Sequence, residues 1–158
     1  SLTGPLVLST LHPQDSVRTI NRMPEFFPPH ERDTARILFA ESLVGIFSQR
    51  LLPRMGGKGR VAATEILKAT LRVKDLVRDP ERTPELYDVL REARLDGMRS
   101  FDDHLSELYA DGVIDYETGY ASATSSQAFK MAATQIEVAR QASGAGQASS
   151  GARAANPA

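Results

Sequence analysis

A histidine stands where an apolar run stops. Leu6-Val7-Leu8-Ser9-Thr10-Leu11 ends in His12, and a short run of this kind reads as a strand buried on both faces of a parallel sheet. The carboxyl ends of such strands border the crevice in which open α/β sheets bind ligands. An imidazole there can donate to a phosphate oxygen or orient a water, and it titrates close enough to neutral to respond to nearby charge. A strand-end histidine satisfied by backbone is the alternative. Asp15 is suited to N-cap a following helix that turns Val17, Ile20 and Met23 to one side. On that helix Arg18 and Arg22 lie four apart. Their guanidinium groups suit a phosphate, a subunit interface or a solvated face.

The next polar candidates sit on elements of their own. Residues 31–47 carry a helical stripe of Ala35, Leu38, Phe39, Ser42, Leu43 and Ile46, with Glu41 beside it. Strands are expected over 49–55, opened by Gln49 and Arg50, and over 60–67. The Gly56-Gly57-Lys58-Gly59 turn between them makes an antiparallel hairpin. That turn is not a phosphate-binding loop. A Walker A sequence places Gly, four residues, then Gly-Lys-Ser/Thr at the start of a helix. Here Leu52 occupies the first Gly position and Gly59 replaces the hydroxyl. No acidic residue closes the apolar run, so a Walker B strand is also missing. His30 and His104 have no partners at metal-ligand spacing and read as surface or helix-packing residues, which leaves no metal site.

Past Lys68 the pattern turns to short capped helices. One is expected over 71–77. Another starts with Thr83 as N-cap and Pro84 at the first helical position, and ends near Gly97. Ser100 and Asp103 form a capping box ahead of a helix with Phe101, Leu105 and Leu108 inward. Helices over 115–121 and 125–141 follow, the last burying Phe129, Ala132 and Ile136. The Gly-, Ala- and Ser-rich stretch 143–158 has one charge, Arg153, and no apolar face to offset ordering entropy, so disorder is expected there. The domains so read are 1–67, an α/β piece; 68–142, a helical subdomain; and 143–158, a tail.

The bulk properties are restrictive. The 158 residues are 41% hydrophobic, enough for one domain with its own core. With 19 basic and 20 acidic residues there is no net field to draw nucleic acid or a membrane surface. Cysteine is absent, which excludes disulfides and thiolate metal sites and fits a reducing compartment. No apolar stretch approaches a membrane span, and the Ser1-Leu2-Thr3-Gly4 start has no signal-peptide character. A cytosolic fragment is the expectation.

Several ordered motifs carry a family resemblance. They are Leu11-His12 with Thr19-Ile20-Asn21-Arg22, Ala40-Glu41-Ser42-Leu43, Ser48-Gln49-Arg50-Leu51, Leu76-Val77-Arg78, Gly97-Met98-Arg99-Ser100-Phe101-Asp102, and Leu108-Tyr109-Ala110-Asp111-Gly112 followed by Tyr116-Glu117. Over about residues 1–130 the chain resembles the C-terminal ATPase domain of type IV pilus retraction motors, the PilT and PilU family of hexameric secretion-type NTPases. Phe101, Tyr109 and Tyr116 lean towards the PilU-like branch. Related assembly and secretion ATPases fit less well, since they carry a four-cysteine zinc segment.

The resemblance implies the C-terminal portion of a RecA-like P-loop NTPase domain, a parallel strand plus an antiparallel hairpin, followed by a helical subdomain. It makes His12 a phosphate-sensing histidine-box residue, with Arg18, Asn21 and Arg22 at the nucleotide or a subunit interface, and Glu41, Gln49 and Arg50 in supporting positions. The loop Pro13-Gln14-Asp15-Ser16 departs from the relatives' pattern, Asn21 replaces a His or Asp, and Val44 an Arg. ATP and Mg²⁺ are implied for a full-length protein and none for this chain alone, which lacks both Walker motifs and is expected to be inactive by itself. The implied setting is cytoplasmic, peripheral to the inner membrane. The implied partners are further copies in a hexameric ring and the pilus platform protein, with no nucleic acid and no membrane insertion. The competing reading is a non-catalytic module that binds motor subunits or the platform protein.

Overall fold

The structure is a computed structural model that describes residues 6–92 and 97–151, with side chains through 142. In chain order it contains α1 (Ser16–Arg22), α2 (Arg32–Ser42), β1 (Gly45–Pro53), β2 (Arg60–Lys68), α3 (Leu71–Arg78), α4 (Leu86–Glu92), α5 (Phe101–Ala110), α6 (Tyr116–Ser122) and α7 (Ser126–Gly151), with short 3-10 turns at Met23–Phe26, Pro29–Glu31 and Thr83–Glu85. Two compact units result, residues 1–51 with 62–104 and residues 52–61 with 105–158.

In the first unit the core gathers Val17 and Ile20 of α1, Ala40 of α2, Leu67 of β2, Val73, Leu76 and Val77 of α3, and Leu86, Val89 and Leu90 of α4. The packing therefore does not divide at the 67/68 boundary read from the sequence, because α3 and α4 share a core with α1 and α2. Within that core lies one buried cation. Arg36 of α2 is 8% exposed and donates to Val77 O at 3.1 Å, Thr83 Oγ1 at 3.2 Å and Asn21 Oδ1 at 3.2 Å. One planar fork thus satisfies acceptors on α1, on α3 and in the turn before α4.

The hairpin register follows from its end bonds. Arg54 N–H donates to Gly59 O at 3.3 Å and Ala69 N–H to Val44 O at 3.0 Å. Side chains 46, 48, 50 and 52 consequently share a face with 63, 65 and 67. On that face Leu52, Ala63, Glu65 and Leu67 are buried, whereas Phe47 and Leu51 on the other are exposed. At the turn Gly56, Gly57 and Gly59 have φ of 88°, 76° and 80°, the left-handed region that explains the run of glycines. Ile66 also makes an antiparallel bridge to Arg99.

The second unit is built around Phe129, fully buried against Gly119. A Cβ at Gly119 would lie 2.2 Å from the Phe129 ring, so only glycine lets α6 and α7 approach this closely. The chain leaves α5 through Gly112, whose φ is 68°. Val113 N–H returns to Leu108 O at 2.9 Å, a left-handed C-terminal cap. Arg140 of α7 reaches the same helix end and donates to Tyr109 O and Ala110 O, each at 2.9 Å. The Tyr109 hydroxyl donates to Glu137 Oε1 at 2.7 Å.

Several sequence expectations need correction. Residues 6–11 form no strand; Leu6, Val7 and Leu8 are 74%, 78% and 89% exposed, because no neighbouring strand among the described residues supplies ladder bonds. Helix α2 stops at Ser42, and β1 starts at Gly45. Its buried positions are Arg36 and Ala40, while Leu38 is exposed. Thr83 is not an N-cap: its hydroxyl donates back to Leu76 O at 3.1 Å and Asp79 O at 2.9 Å. In α7 Ala133, not Ala132, is buried with Phe129. The helix runs on to Gly151, into the stretch expected to be disordered, while residues 152–158 lie outside the described ones.

Candidate functional site

The segment leading into α1 carries the histidine, and it is anchored at Gln14, Asp15 and Ser16. His12 is exposed on irregular backbone. Two residues on, Arg50 of β1 donates from Nε and Nη2 to Gln14 O, both at 3.2 Å. The Arg50 guanidinium lies over the Phe101 ring, 3.9 Å from its centroid, a cation–π contact that fixes the donor itself. Asp15 is buried. Its carboxylate accepts from Arg18 N–H at 2.8 Å as the N-cap of α1, and its carbonyl accepts from the Thr19 hydroxyl at 2.8 Å. Ser16 N–H donates to Glu65 Oε1 at 2.8 Å.

Glu65 is 2% exposed. Desolvation pushes its carboxyl above the ordinary value, and nearby Asp15 adds to the rise; the bonded Ser16 and the positive Arg50 oppose it. Burial likewise holds the Arg36 guanidinium below its ordinary value, against the pull of Asp33 and Asp79.

The residues singled out from sequence fall into two places. On the histidine segment and α1, Arg18 pairs with the Asp15 carboxylate at 3.5 Å and donates to the Gln14 side chain. Asn21 is held by Arg36, and Arg22 is exposed one turn beyond Arg18. Arg50 joins this group through Gln14. Glu41 does not: its carboxylate takes Arg78 Nη2 at 3.1 Å and its carbonyl takes Lys74 Nζ at 2.7 Å, tying the end of α2 to α3. Gln49 points to the exposed face of the hairpin. His104 accepts Thr64 N–H at Nδ1, 2.9 Å away, and His30 lies 3.3 Å from Glu31; both are packing or surface residues.

Sequence reasoning missed Glu65 and Arg36. Each had a signal, a charge at a position whose neighbours in the period face inward. Glu65 alternates with Ala63 and Leu67 in β2, and Arg36 precedes Ala40 on one helix face.

His12 is exposed on the segment before α1, and on α1 Arg22 is exposed while Arg18 is engaged by Asp15 and Gln14. In the 54–59 turn Gly56 and Gly57 face open space, Gly59 faces the Arg54 side chain, and the chain continues into β2 rather than a helix start. Among the described residues no group of three or more His, Asp or Glu is placed to hold a metal.

No family model matches the chain. It is 36% identical over 125 residues to the twitching motility protein of Neisseria gonorrhoeae, covering 79% of this chain and 33% of that protein. It is 34% identical over 129 residues to the type IV pilus ATPase PilU of Pseudomonas aeruginosa, covering 82% of this chain and 34% of the relative. The crystal structure of the pilus retraction motor PilT with bound ADP superposes with a TM-score of 0.66 at 32% identity, covering 78% of this chain and 34% of that one. The chain therefore spans about a third of the length of the curated relatives it matches.

Proposed function

This chain belongs to the PilT and PilU family as the homologue of a C-terminal part of its members, and we propose that it serves a pilus retraction motor as the part that reads nucleotide state. In this reading His12 donates to a terminal phosphate oxygen, and Arg18 and Arg22 stabilise negative charge nearby or across a subunit boundary. Bound ATP with Mg²⁺ would supply the phosphoryl group whose transfer powers the motor. The chain's own residues orient the imidazole, hold α1 in register with the hairpin and pass displacement on to α2 and α3 through Arg36 and the Glu41–Arg78 pair. The parent motor works as a hexameric ring at the cytoplasmic face of the inner membrane, against a platform protein. No described helix is long and apolar enough to cross a membrane.

The observation that carries the proposal is the exposed His12 on a backbone anchored at three successive residues, in a chain one third identical to known retraction ATPases. The test is His12→Ala in the organism that carries this protein, with pilus retraction scored. Retraction should be lost while the motor still assembles. Retraction at the wild-type rate would overturn the assignment. The purified chain by itself should hydrolyse no ATP above buffer background.

A further inference from the structure

Three consecutive residues after the histidine loop are tied down by separate means, and two of the ties come from the hairpin. Arg50 on β1 holds the Gln14 carbonyl with two donors, and Glu65 on β2 holds the Ser16 N–H. Between them Asp15 caps its own helix. Both hairpin residues lie on the same face, since the register sets Arg50 opposite Ala63, one inward position from Glu65. A helix this short cannot hold its own position by propensity. Its first N–H groups have no intrahelical acceptor. The location of the α1 start is therefore set by whatever accepts from those groups, and at Ser16 that is Glu65.

We propose that Glu65 and Arg50 are the positioning residues of the His12 loop, and that together they index the histidine to the hairpin. A shift of the two strands then carries Gln14, Ser16 and with them His12. The functional meaning rests on the reading of His12 as a phosphate sensor; the physical clamp does not. The chemistry demanded of position 65 is an acceptor, not a charge. Glutamine should therefore serve there and an apolar isostere should not. At position 50 a guanidinium fork on the Phe101 ring is demanded, which methionine cannot supply.

The test uses the full 158-residue chain and amide hydrogen exchange read by NMR. Glu65→Leu should speed exchange at Ser16 at least tenfold, with Val89 and Leu90 of α4 unchanged as a measure of the intact core. Glu65→Gln should stay within a few-fold of wild type. Arg50→Met, at a half-exposed site, should move the Asp15 amide resonance, and Arg50→Lys should restore part of the shift. Unchanged Ser16 exchange in Glu65→Leu would overturn the clamp. So would a glutamine variant as perturbed as the leucine one, or an unmoved Asp15 resonance in Arg50→Met. In the organism, Glu65→Leu should impair retraction, and its combination with His12→Ala should be no worse than His12→Ala alone. If His12→Ala retracts normally, the sensor reading fails while the exchange results still decide the clamp.

Discussion

Arg36 is the sharpest point at which the fold can be tested. Replacing it with methionine keeps much of the apolar stem and removes the fork. Three acceptors lose a charged donor, but not equally. Asn21 is exposed, so its oxygen turns to water at little cost. The Thr83 hydroxyl keeps its own donations to Leu76 O and Asp79 O and loses about 1 kcal/mol. Val77 O belongs to the last turn of α3, where carbonyls have no intrahelical donor, and leaving it buried costs about 1–3 kcal/mol. Release of a desolvated cation returns part of this, so the net loss is about 2–3 kcal/mol. Urea unfolding followed by circular dichroism reads it directly. With a slope of about 2 kcal/mol/M the midpoint should fall by about 1–1.5 M at unchanged slope. A Thr83→Val background should shrink the effect by at least about 0.5 kcal/mol, because the two groups share one bond. A variant within about 0.5 kcal/mol of wild type, or more stable than it, would refute the reasoning. It would show that desolvation of the guanidinium outweighs its hydrogen bonds.

Other outcomes follow from the same packing. Burial raises Glu65 above the ordinary 4.5, so the folded chain holds that proton more tightly than the unfolded chain. Stability from this group is complete below about pH 4.5 and is lost as pH rises through the folded value. Glu65→Gln should accordingly gain melting temperature over wild type at pH 7, with the gain vanishing by about pH 4. Gly119→Ala should destabilise the α6–α7 unit by about 1–3 kcal/mol through overlap with Phe129; calorimetry reads it, and Phe129→Leu in the same chain should recover part. Gly57→Ala should cost about 1 kcal/mol, from the positive φ alone, since nothing crowds the added carbon. His12→Ala should change stability by less than about 0.5 kcal/mol, because the ring is exposed.

What the sequence made legible was local. The Asp15 cap, the Ser100 cap and the glycine turn each declare themselves within a few residues and each is present, though the Asp103 carboxylate takes the Ser100 hydroxyl. Where the reading went wrong, the deciding partner lay far along the chain. Leu43 and Ile46 extend a helical spacing, yet 46, 48, 50 and 52 also alternate, and only pairing with β2 decides for strand. The run 6–11 had strand composition but no neighbour to pair with among the described residues. Thr83 looked like a cap because a proline follows it; a buried arginine from α2 claims its hydroxyl instead. The candidate site divided in the same way. His12, Arg18 and Arg22 were visible from type and spacing. Glu65 was not, because its worth comes from a backbone amide 49 positions earlier.

The grip of Arg140 on the end of α5 has a practical corollary for trimming the chain from its far end. Tyr109 O takes the Gly112 N–H at 3.0 Å at the helix end, and Arg140 adds a donor to it from 31 residues later and one to Ala110 O from 30 residues later. A cut placed before residue 140 would also take the counter-charge that keeps Glu137 beside the Tyr109 hydroxyl. The last turn of α5 would then fray although none of its own residues had been touched. Residue 140, rather than any drop in helical propensity nearby, marks the shortest span over which this unit can be expected to keep its shape.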